Sequence, residues 1–231
     1  MGWIPELELV AQPEGRRLRF PVERLLNGGY AGRDQDAVWR HVEELAEIGV
    51  PAPGRTPTLY AIGNNLVTTS DKIQVQHDRT SGEVEYVLLI GADDIYVTVG
   101  SDHTDRELER RSVEWSKQAY PDLLATEVWR YQDVADHWDE IVLRCWVSES
   151  GERRLYQEAT LAALLPPKVW LGILGDLFGT VPHNVVLMSG TIPSMGGISF
   201  AESYQIEMYD PVLDRAIRHG YGVEVLRQKI V

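Results

Sequence analysis

Cysteine is almost absent from this chain of 231 residues, and that scarcity limits how the protein can be stabilised. Its single cysteine, Cys145, cannot form a disulfide within the chain and suits a reducing compartment. No stretch approaches the roughly 20 apolar residues that a membrane-spanning helix needs. The first residues also lack the cationic segment and apolar run of a secretory signal. We therefore expect a cytoplasmic protein.

Basic residues are also scarce. The chain has 22 lysines and arginines against 35 aspartates and glutamates, which gives a formal net charge of −13. A protein that binds nucleic acid through its phosphates needs a basic surface, and so does one that docks on an anionic membrane. We therefore expect neither partner. An anionic substrate stays possible if a local cation or a metal ion overcomes the repulsive field of the whole protein.

The chain lacks internal repeats, low-complexity tracts and Gly/Ser linkers, so one domain over residues 1–231 is expected. Its 44% hydrophobic content suffices for a sizeable core. Local patterns predict an irregular β-rich α+β fold. The predicted strands are several short ones in 5–27, then 72–77, 83–90, 94–99, 140–147 and 184–189. The predicted helices are 37–48, 104–118, 158–176 with a break at Pro166-Pro167, and 212–218.

The most informative segment runs from Ser81 to Gly91 and contains Glu83 and Glu85. Alternate residues of a strand share one face, so these two carboxylates would lie about 7 Å apart on the same side. Inward-facing carboxylates repel each other and lose hydration unless a positive group lies between them. A hard divalent ion such as Mg²⁺ or Mn²⁺ would resolve that conflict. A solvated face without a metal is the alternative.

Asp102 follows the next predicted strand, in Gly100-Ser101-Asp102-His103-Thr104-Asp105. Aspartate at a strand-to-helix junction is often a helix N-cap, and Asp105 would occupy the capping-box position. A side chain at a strand-to-helix junction can also project into a binding site, so Asp102 is also a candidate third metal ligand. His103 is a possible nitrogen ligand, but a lone histidine beside a cap is more often structural.

The ordered set of these motifs resembles the fumarylacetoacetate hydrolase family. Its pattern is E-x-E on a strand ending in Ile-Gly, followed by D-x-T-x-R-[DE]-[LV]-Q, which matches Glu83 to Gly91 and Asp102 to Leu108. The resemblance covers about residues 30–225. It implies a mixed β-sandwich roll with a small N-terminal segment and a lid helix within about 1–55, then a catalytic β-roll from about 56. It also implies a homodimer, with Glu83, Glu85 and Asp102 as ligands of Mg²⁺ or Mn²⁺.

Further positions match the family in order. His41 and Glu44 resemble its H-x-x-E lid dyad, which activates water, and Lys117 resembles the lysine of its W-x-x-x-K segment. The resemblance therefore implies three catalytic residues, His41, Glu44 and Lys117. The segment Ser189 to Gly197 is similar to the family's Gly-Thr-Pro loop, whose threonine touches the substrate carboxylate. The implied substrate-binding residues are Thr191, Gly190, Arg106 and Asn64, the last in place of a family lysine missing from residues 59–65.

The resemblance implies a metal-dependent hydrolase that cleaves a carbon–carbon bond in a small 2-oxo acid of the acylpyruvate or 2,4-dioxo type, through a metal-stabilised enolate. The same site would also serve a decarboxylase, a hydratase or a tautomerase. A third possibility is a non-catalytic protein that binds small acids or serves a structural role. The missing lysine favours that possibility, and so does the short connection of sixteen residues between Glu85 and Asp102.

Overall fold

The computed structural model describes residues 4–47 and 52–226. The strands are β1 (Glu6–Ala11), β2 (Arg16–Pro21), β3 (Arg24–Gly29), β4 (Thr58–Ile62), β5 (Val67–Thr68), β6 (Lys72–Val75), β7 (Thr80–Ile90), β8 (Ile95–Asp105), β9 (Asp122–Leu124), β10 (Glu127–Arg130), β11 (Val142–Glu149), β12 (Glu152–Thr160), β13 (Val185–Met188), β14 (Ser203–Asp210) and β15 (Arg215–Val225). The helices are α1 (Gln35–Glu47), α2 (Arg106–Glu109), α3 (Val113–Gln118) and α4 (Pro167–Phe178). None of the described helices is long and apolar enough to cross a membrane. The expected β-rich α+β fold is confirmed.

Two mixed sheets form the body of the fold. The larger has the order β2-β1-β10-β8-β7-β13-β3-β4, with β9 paired to β8 and β5 paired to β9. The smaller has the order β12-β11-β14-β15-β6. The longest ladder joins β7 to β8 antiparallel over eleven residue pairs, from Thr80↔Asp105 to Ile90↔Ile95. This ladder lies near the middle of the larger sheet and carries the acidic residues.

The larger sheet buries both of its faces, which explains the continuous apolar run at the end of β7. Tyr86, Leu88 and Ile90 pack into the core shared with the smaller sheet and α4. Val87 and Leu89 point to the opposite face, where they pack against the N-terminal strands. A strand covered on both sides needs apolar residues at every position rather than at alternate ones.

The structure corrects the predicted helix over 104–118. Residues 102–105 continue β8 because each pairs with a residue of β7, and all four are buried. Helix α2 begins only at Arg106, where the carboxylate of Asp105 accepts hydrogen bonds from the backbone N–H groups of Glu107 and Leu108. Asp105 is therefore the N-cap, and Asp102 lies within the strand. Ser112 then caps a separate helix, α3.

Two other helix predictions also need correction. The helix predicted over 158–176 is confirmed from Pro167, where α4 begins, but residues 158–160 end strand β12, where they pair with β11. The predicted helix at 212–218 is a hairpin, in which Asp214 has a φ of 46° and β15 starts at Arg215. In both places hairpin pairing with the preceding strand outweighs local helix propensity.

Candidate metal centre

The register of β7 and β8 brings three carboxylates together. Glu83 lies directly opposite Asp102 in the ladder, and Glu85 lies opposite Gly100, one diagonal step from Asp102 on the same face. One oxygen from each of the three residues lies within 4.8 Å of the other two. Glu85 and Asp102 are buried, whereas Glu83 keeps 19% of its side chain exposed. The acidic triad is the name used below for Glu83, Glu85 and Asp102.

Glu85 is the most deeply constrained member of the acidic triad. Its Oε2 accepts a hydrogen bond of 2.7 Å from the backbone N–H of Gly190. Its Oε1 is buried and has no hydrogen-bond partner among the described residues. Burial raises the pKa of Glu85 well above its ordinary value, and the neighbouring Asp102 adds to that rise. An unpartnered oxygen on a buried carboxylate is what a cation at this position would satisfy.

Gly190 reaches Glu85 because the backbones of two loops approach each other closely. Gly190 has a φ of +86°, and a Cβ there would lie 2.8 Å from the Cβ of Ala31 and 3.1 Å from the carbonyl oxygen of Gly28. A residue with a side chain would therefore meet both conformational strain and a steric clash. This glycine is required for the hydrogen bond that orients Glu85.

Two buried cations balance the charge of the acidic triad. The ammonium group of Lys117 is hydrogen-bonded to Asp102 Oδ2 and lies 3.9 Å from Glu83 Oε2. The guanidinium of Arg106 donates to Glu83 Oε1 at 2.7 Å and to both oxygens of Glu109 at 2.9 and 3.0 Å. Burial raises the pKa of Glu83 on its own, but Arg106 and Lys117 outweigh that effect and lower it overall. The carboxylates likewise raise the pKa of Lys117 above its ordinary value against the effect of burial.

Asp122 and Asn27 form a buried polar pair behind Asp102, and the sequence predictions did not include them. Asp122 lies opposite Asp102 where β9 pairs with β8, and Asn27 donates a hydrogen bond of 3.1 Å to Asp122 Oδ1. Burial raises the pKa of Asp122 well above its ordinary value, and the charge of Asp102 raises it further. The sequence contains only a weak indication of these two residues. Each is a single polar residue next to apolar ones, in Leu25-Leu26-Asn27 and in Asp122-Leu123-Leu124.

A cavity of about 600 Å³ opens above the acidic triad. Its wall includes five residues named by the sequence predictions, which are Glu83, Glu85, Lys117, Gly190 and Thr191. The hydroxyl of Thr191 donates to the carbonyl oxygen of Val84 at 2.8 Å and accepts from Gln157 at 2.9 Å. The hydroxyl hydrogen of Thr191 is therefore already used within the protein.

Two residues expected to bind substrate do not line this cavity. The guanidinium of Arg106 lies behind Glu83, where it also donates to Ser81 Oγ at 2.7 Å, so Arg106 orients Glu83 instead. Asn64 lies in a 3-10 turn, where its side-chain amide donates to the carbonyl oxygen of Val22 at 2.8 Å. The structure therefore places Asn64 outside the lining of the cavity.

The lid dyad is described only in part. The backbone of His41 and Glu44 belongs to α1, as the spacing predicted, but their side chains lie outside the described part of the chain. Val38, one helical turn before His41, lines the cavity. Helix α1 therefore borders the cavity through this residue.

The donor set of the acidic triad fits a hard divalent ion. Mg²⁺ and Mn²⁺ prefer carboxylate oxygens at about 2.1 Å, which sets adjacent ligand oxygens about 3 Å apart. The ligand oxygens of the three carboxylates lie within 4.8 Å of one another and would move closer together to reach this spacing. The unpartnered Oε1 of Glu85 provides a free donor atom, and the partly exposed Glu83 borders the cavity through which an ion could enter. Among the described residues this is the one cluster of this kind.

The raised pKa of Glu85 predicts that metal affinity depends on pH. A metal binds the deprotonated carboxylate, so a proton retained on Glu85 above its ordinary value of 4.5 competes with the ion. Affinity for Mn²⁺ should therefore keep rising as the pH is raised above that ordinary value, with net release of protons on binding. Titration calorimetry in buffers of different ionisation enthalpy measures both quantities. An affinity that is flat above this value, with no proton release, would contradict the assignment.

Solved structures share this fold. A fumarylacetoacetate hydrolase family protein from Yersinia pestis CO92 superposes with a TM-score of 0.62 at 16% identity, over 95% of this chain and 100% of that one. Fumarylpyruvate hydrolase from Pseudomonas aeruginosa, in complex with Mn²⁺ and pyruvate, gives 0.58 at 15% identity over 97% and 99%. The dehydratase of 2-keto-3-deoxyarabinonate gives 0.62 at 13% identity over 89% and 74%. These likenesses confirm the resemblance at the level of the fold.

Comparison with curated proteins finds no match to this chain. One family model does match, and it spans residues 28–221, which include the acidic triad, Lys117 and the Gly190 loop. The match leaves out only β1, β2, the first residues of β3 and the C-terminal end. The chain therefore belongs to the family described as protein of unknown function DUF2848.

Proposed function

We propose that this protein is a divalent-metal-dependent enzyme that hydrolyses a carbon–carbon bond in a small 2-oxo acid of the acylpyruvate type. The observation that carries the proposal is the acidic triad with its unpartnered Glu85 oxygen at the floor of a cavity of about 600 Å³. Three clustered carboxylates, two of which line a ligand-sized cavity, favour binding of an ion together with a chelating ligand. The fold likeness to a fumarylpyruvate hydrolase is consistent with this chemistry.

Glu83, Glu85 and Asp102 would hold the ion, and Arg106 and the N–H of Gly190 would keep two of these carboxylates oriented. When bound, Mg²⁺ or Mn²⁺ supplies Lewis-acid polarisation of the 2-oxo group and neutralises the negative charge that develops there. The ammonium group of Lys117 borders the cavity and would attract the substrate carboxylate. The apolar walls of the cavity would limit the access of bulk water.

His41 is proposed as the base that removes a proton from the attacking water, and Glu44 as the residue that orients it. The positions support this assignment because residues three apart on a helix share a face. Val38 lines the cavity, and His41 and Glu44 follow it at successive intervals of three on α1. Imidazole has an ordinary pKa near neutrality, which suits a general base.

The test combines metal binding with activity. Protein stripped of metal by EDTA should melt at a higher temperature when Mg²⁺ or Mn²⁺ is added, because an ion that binds only the folded state stabilises it by mass action. Acylpyruvates and oxaloacetate should then be assayed side by side, with metal and with EDTA. Metal-dependent cleavage of an acylpyruvate would support the proposal.

The other outcomes of this assay decide between the remaining functions. Turnover of oxaloacetate without cleavage of acylpyruvates would instead support a decarboxylase at the same site. The absence of both a thermal shift and turnover would overturn the proposal and favour a non-catalytic protein.

A further inference from the structure

The cavity above the acidic triad has two chemically different ends. Its floor is polar and is formed by Glu83, Glu85 and the ammonium group of Lys117, with Asp102 buried beneath them. Its walls are apolar or aromatic, and the residues that define them are Val38, Tyr60, Val113, Leu164, Ile192 and Pro193. A ligand whose anionic head lies on the floor must therefore place its other end against these walls.

Tyr30 and Tyr60 form the aromatic part of the wall. Tyr30 has a φ of 55°, an uncommon conformation for a residue with a side chain, and directly follows Gly28 and Gly29 at the end of β3. Strain of this kind is often kept at ligand sites. Burial raises the pKa of Tyr30, with Glu109 adding to the rise, and burial raises the pKa of Tyr60 to about 12. Both phenols therefore stay neutral and can face an uncharged group.

In the part of the chain that the structure describes, the wall offers no free cation that could balance a second carboxylate. Among the described residues that line the cavity, Lys117 is the one cation, and it already contacts Asp102. Glu109 lines the cavity too, and it brings a further negative charge. A distal carboxylate would thus be desolvated without a compensating cation.

Nearby arginines lie outside this wall. Arg110 and Arg111 line an adjoining surface hollow of about 380 Å³, which they share with Glu109 and Glu114. The side chain of Arg110 is 74% exposed and pairs with Glu107 at 3.4 Å. Arg111 is also exposed. Exposed cations contribute little to binding because water and salt screen them.

We infer that this site is specific for 2-oxo acids whose far end is an uncharged, apolar acyl group, and that it discriminates against substrates ending in a second carboxylate. The inference rests on the proposed function, because it takes the acidic triad as the place where the 2-oxo acid head binds. It extends the proposed function by specifying the chemistry of the far end of the substrate. An aromatic ring between Tyr60 and Val113 would gain affinity by burying apolar surface, whereas a charged group there would lose it.

The test uses oxamate, N-phenyloxamate and para-carboxy-N-phenyloxamate, which share a head like that of a 2-oxo acid and offer no carbon–carbon bond for the proposed hydrolysis. Each is titrated calorimetrically into the protein loaded with Mn²⁺. N-phenyloxamate should bind at least about tenfold more tightly than oxamate. The para-carboxy compound, which differs from it by one carboxylate, should bind at least about tenfold more weakly than N-phenyloxamate.

A pair of variants tests whether the wall itself sets this preference. Val113→Lys places a cation in the wall, and Val113→Gln places a neutral side chain of comparable length there. For each variant, the affinity for the para-carboxy compound is divided by the affinity for oxamate. This ratio should be about tenfold higher for Val113→Lys than for Val113→Gln. Circular dichroism checks that both variants fold, and the ligand comparison on the unaltered protein stands without them.

The outcomes separate the inference from the proposed function. If oxamate itself fails to bind the Mn²⁺-loaded protein, the proposed site is wrong and the inference falls with it. If oxamate binds but the para-carboxy compound binds as tightly as N-phenyloxamate, the inference is overturned while the proposed function stands. Equal para-carboxy binding by Val113→Lys and Val113→Gln would likewise contradict the role assigned to this wall.

Discussion

Replacing Glu85 with glutamine should lower the affinity for Mn²⁺ by about a hundredfold or more and metal-dependent turnover by about a thousandfold. Glutamine has the same shape, and its carbonyl oxygen can still accept the hydrogen bond that Gly190 donates to Glu85. What the variant loses is the negative charge and the unpartnered carboxylate oxygen in the acidic triad. Titration calorimetry measures the first effect, and steady-state kinetics on an acylpyruvate measures the second.

Glu207→Gln is the matched control for Glu85→Gln. Glu207 is also a buried glutamate, but it lies on β14 of the smaller sheet, where it accepts hydrogen bonds from Arg144 at 2.9 Å and Arg218 at 2.7 Å. Its replacement should reduce stability without changing Mn²⁺ affinity, because it is remote from the acidic triad. If Glu85→Gln binds Mn²⁺ as tightly as the unaltered protein, Glu85 is not a ligand. If both variants lose the metal equally, the effect is a general loss of structure.

Replacing Lys117 with methionine should destabilise the metal-free protein by about 3–5 kcal/mol, the usual effect of removing one partner from a buried ion pair. The side chain of Lys117 is 7% exposed, and its ammonium group contacts Asp102 and lies near Glu83. Without it the acidic triad keeps Arg106 as its nearest compensating cation. Mn²⁺ would take over part of the missing charge, so adding it should restore much of the lost stability.

Urea unfolding with EDTA and with Mn²⁺ measures both parts of this result, at about pH 8 so that protonation of the carboxylates does not mask the effect. Lys168→Met is the control, since Lys168 is exposed on α4 and its replacement should change stability by at most about 0.5 kcal/mol. A Lys117→Met protein with unchanged metal-free stability would show that the ammonium does not balance the triad. An equal loss with and without Mn²⁺ would show that no ion enters the site.

The strand that carries Glu83 and Glu85 could be predicted because its information is local. A period of two places both glutamates on one face, and the apolar run after them marks a strand covered on both sides. The structure has this strand as β7 over Thr80–Ile90, with Tyr86 and Val87 on opposite faces. The position of Asp102 after the next strand made it a candidate third ligand, the resemblance added Lys117, and the structure brings both to Glu83.

The position of Asp102 could not be predicted from local pattern. Its capping signals favoured a helix over 104–118, yet β8 continues through Asp105 because β7 is available as a partner along its whole length. Local propensity amounts to less than 1 kcal/mol per residue, so a continuous ladder buried on both faces outweighs it. The same competition turned 158–160 and 215–218 into strand.

The amino-acid sequence by itself determined the β-rich character of the chain, the shared face of the two glutamates and the net negative charge. Only the tertiary structure decided that Asp102 lies opposite Glu83, that Arg106 supports a carboxylate instead of lining the cavity, and that Asp122 and Asn27 lie behind the site. The physical reason is that strand register and burial arise between segments far apart in the chain, and no local pattern of residues encodes them.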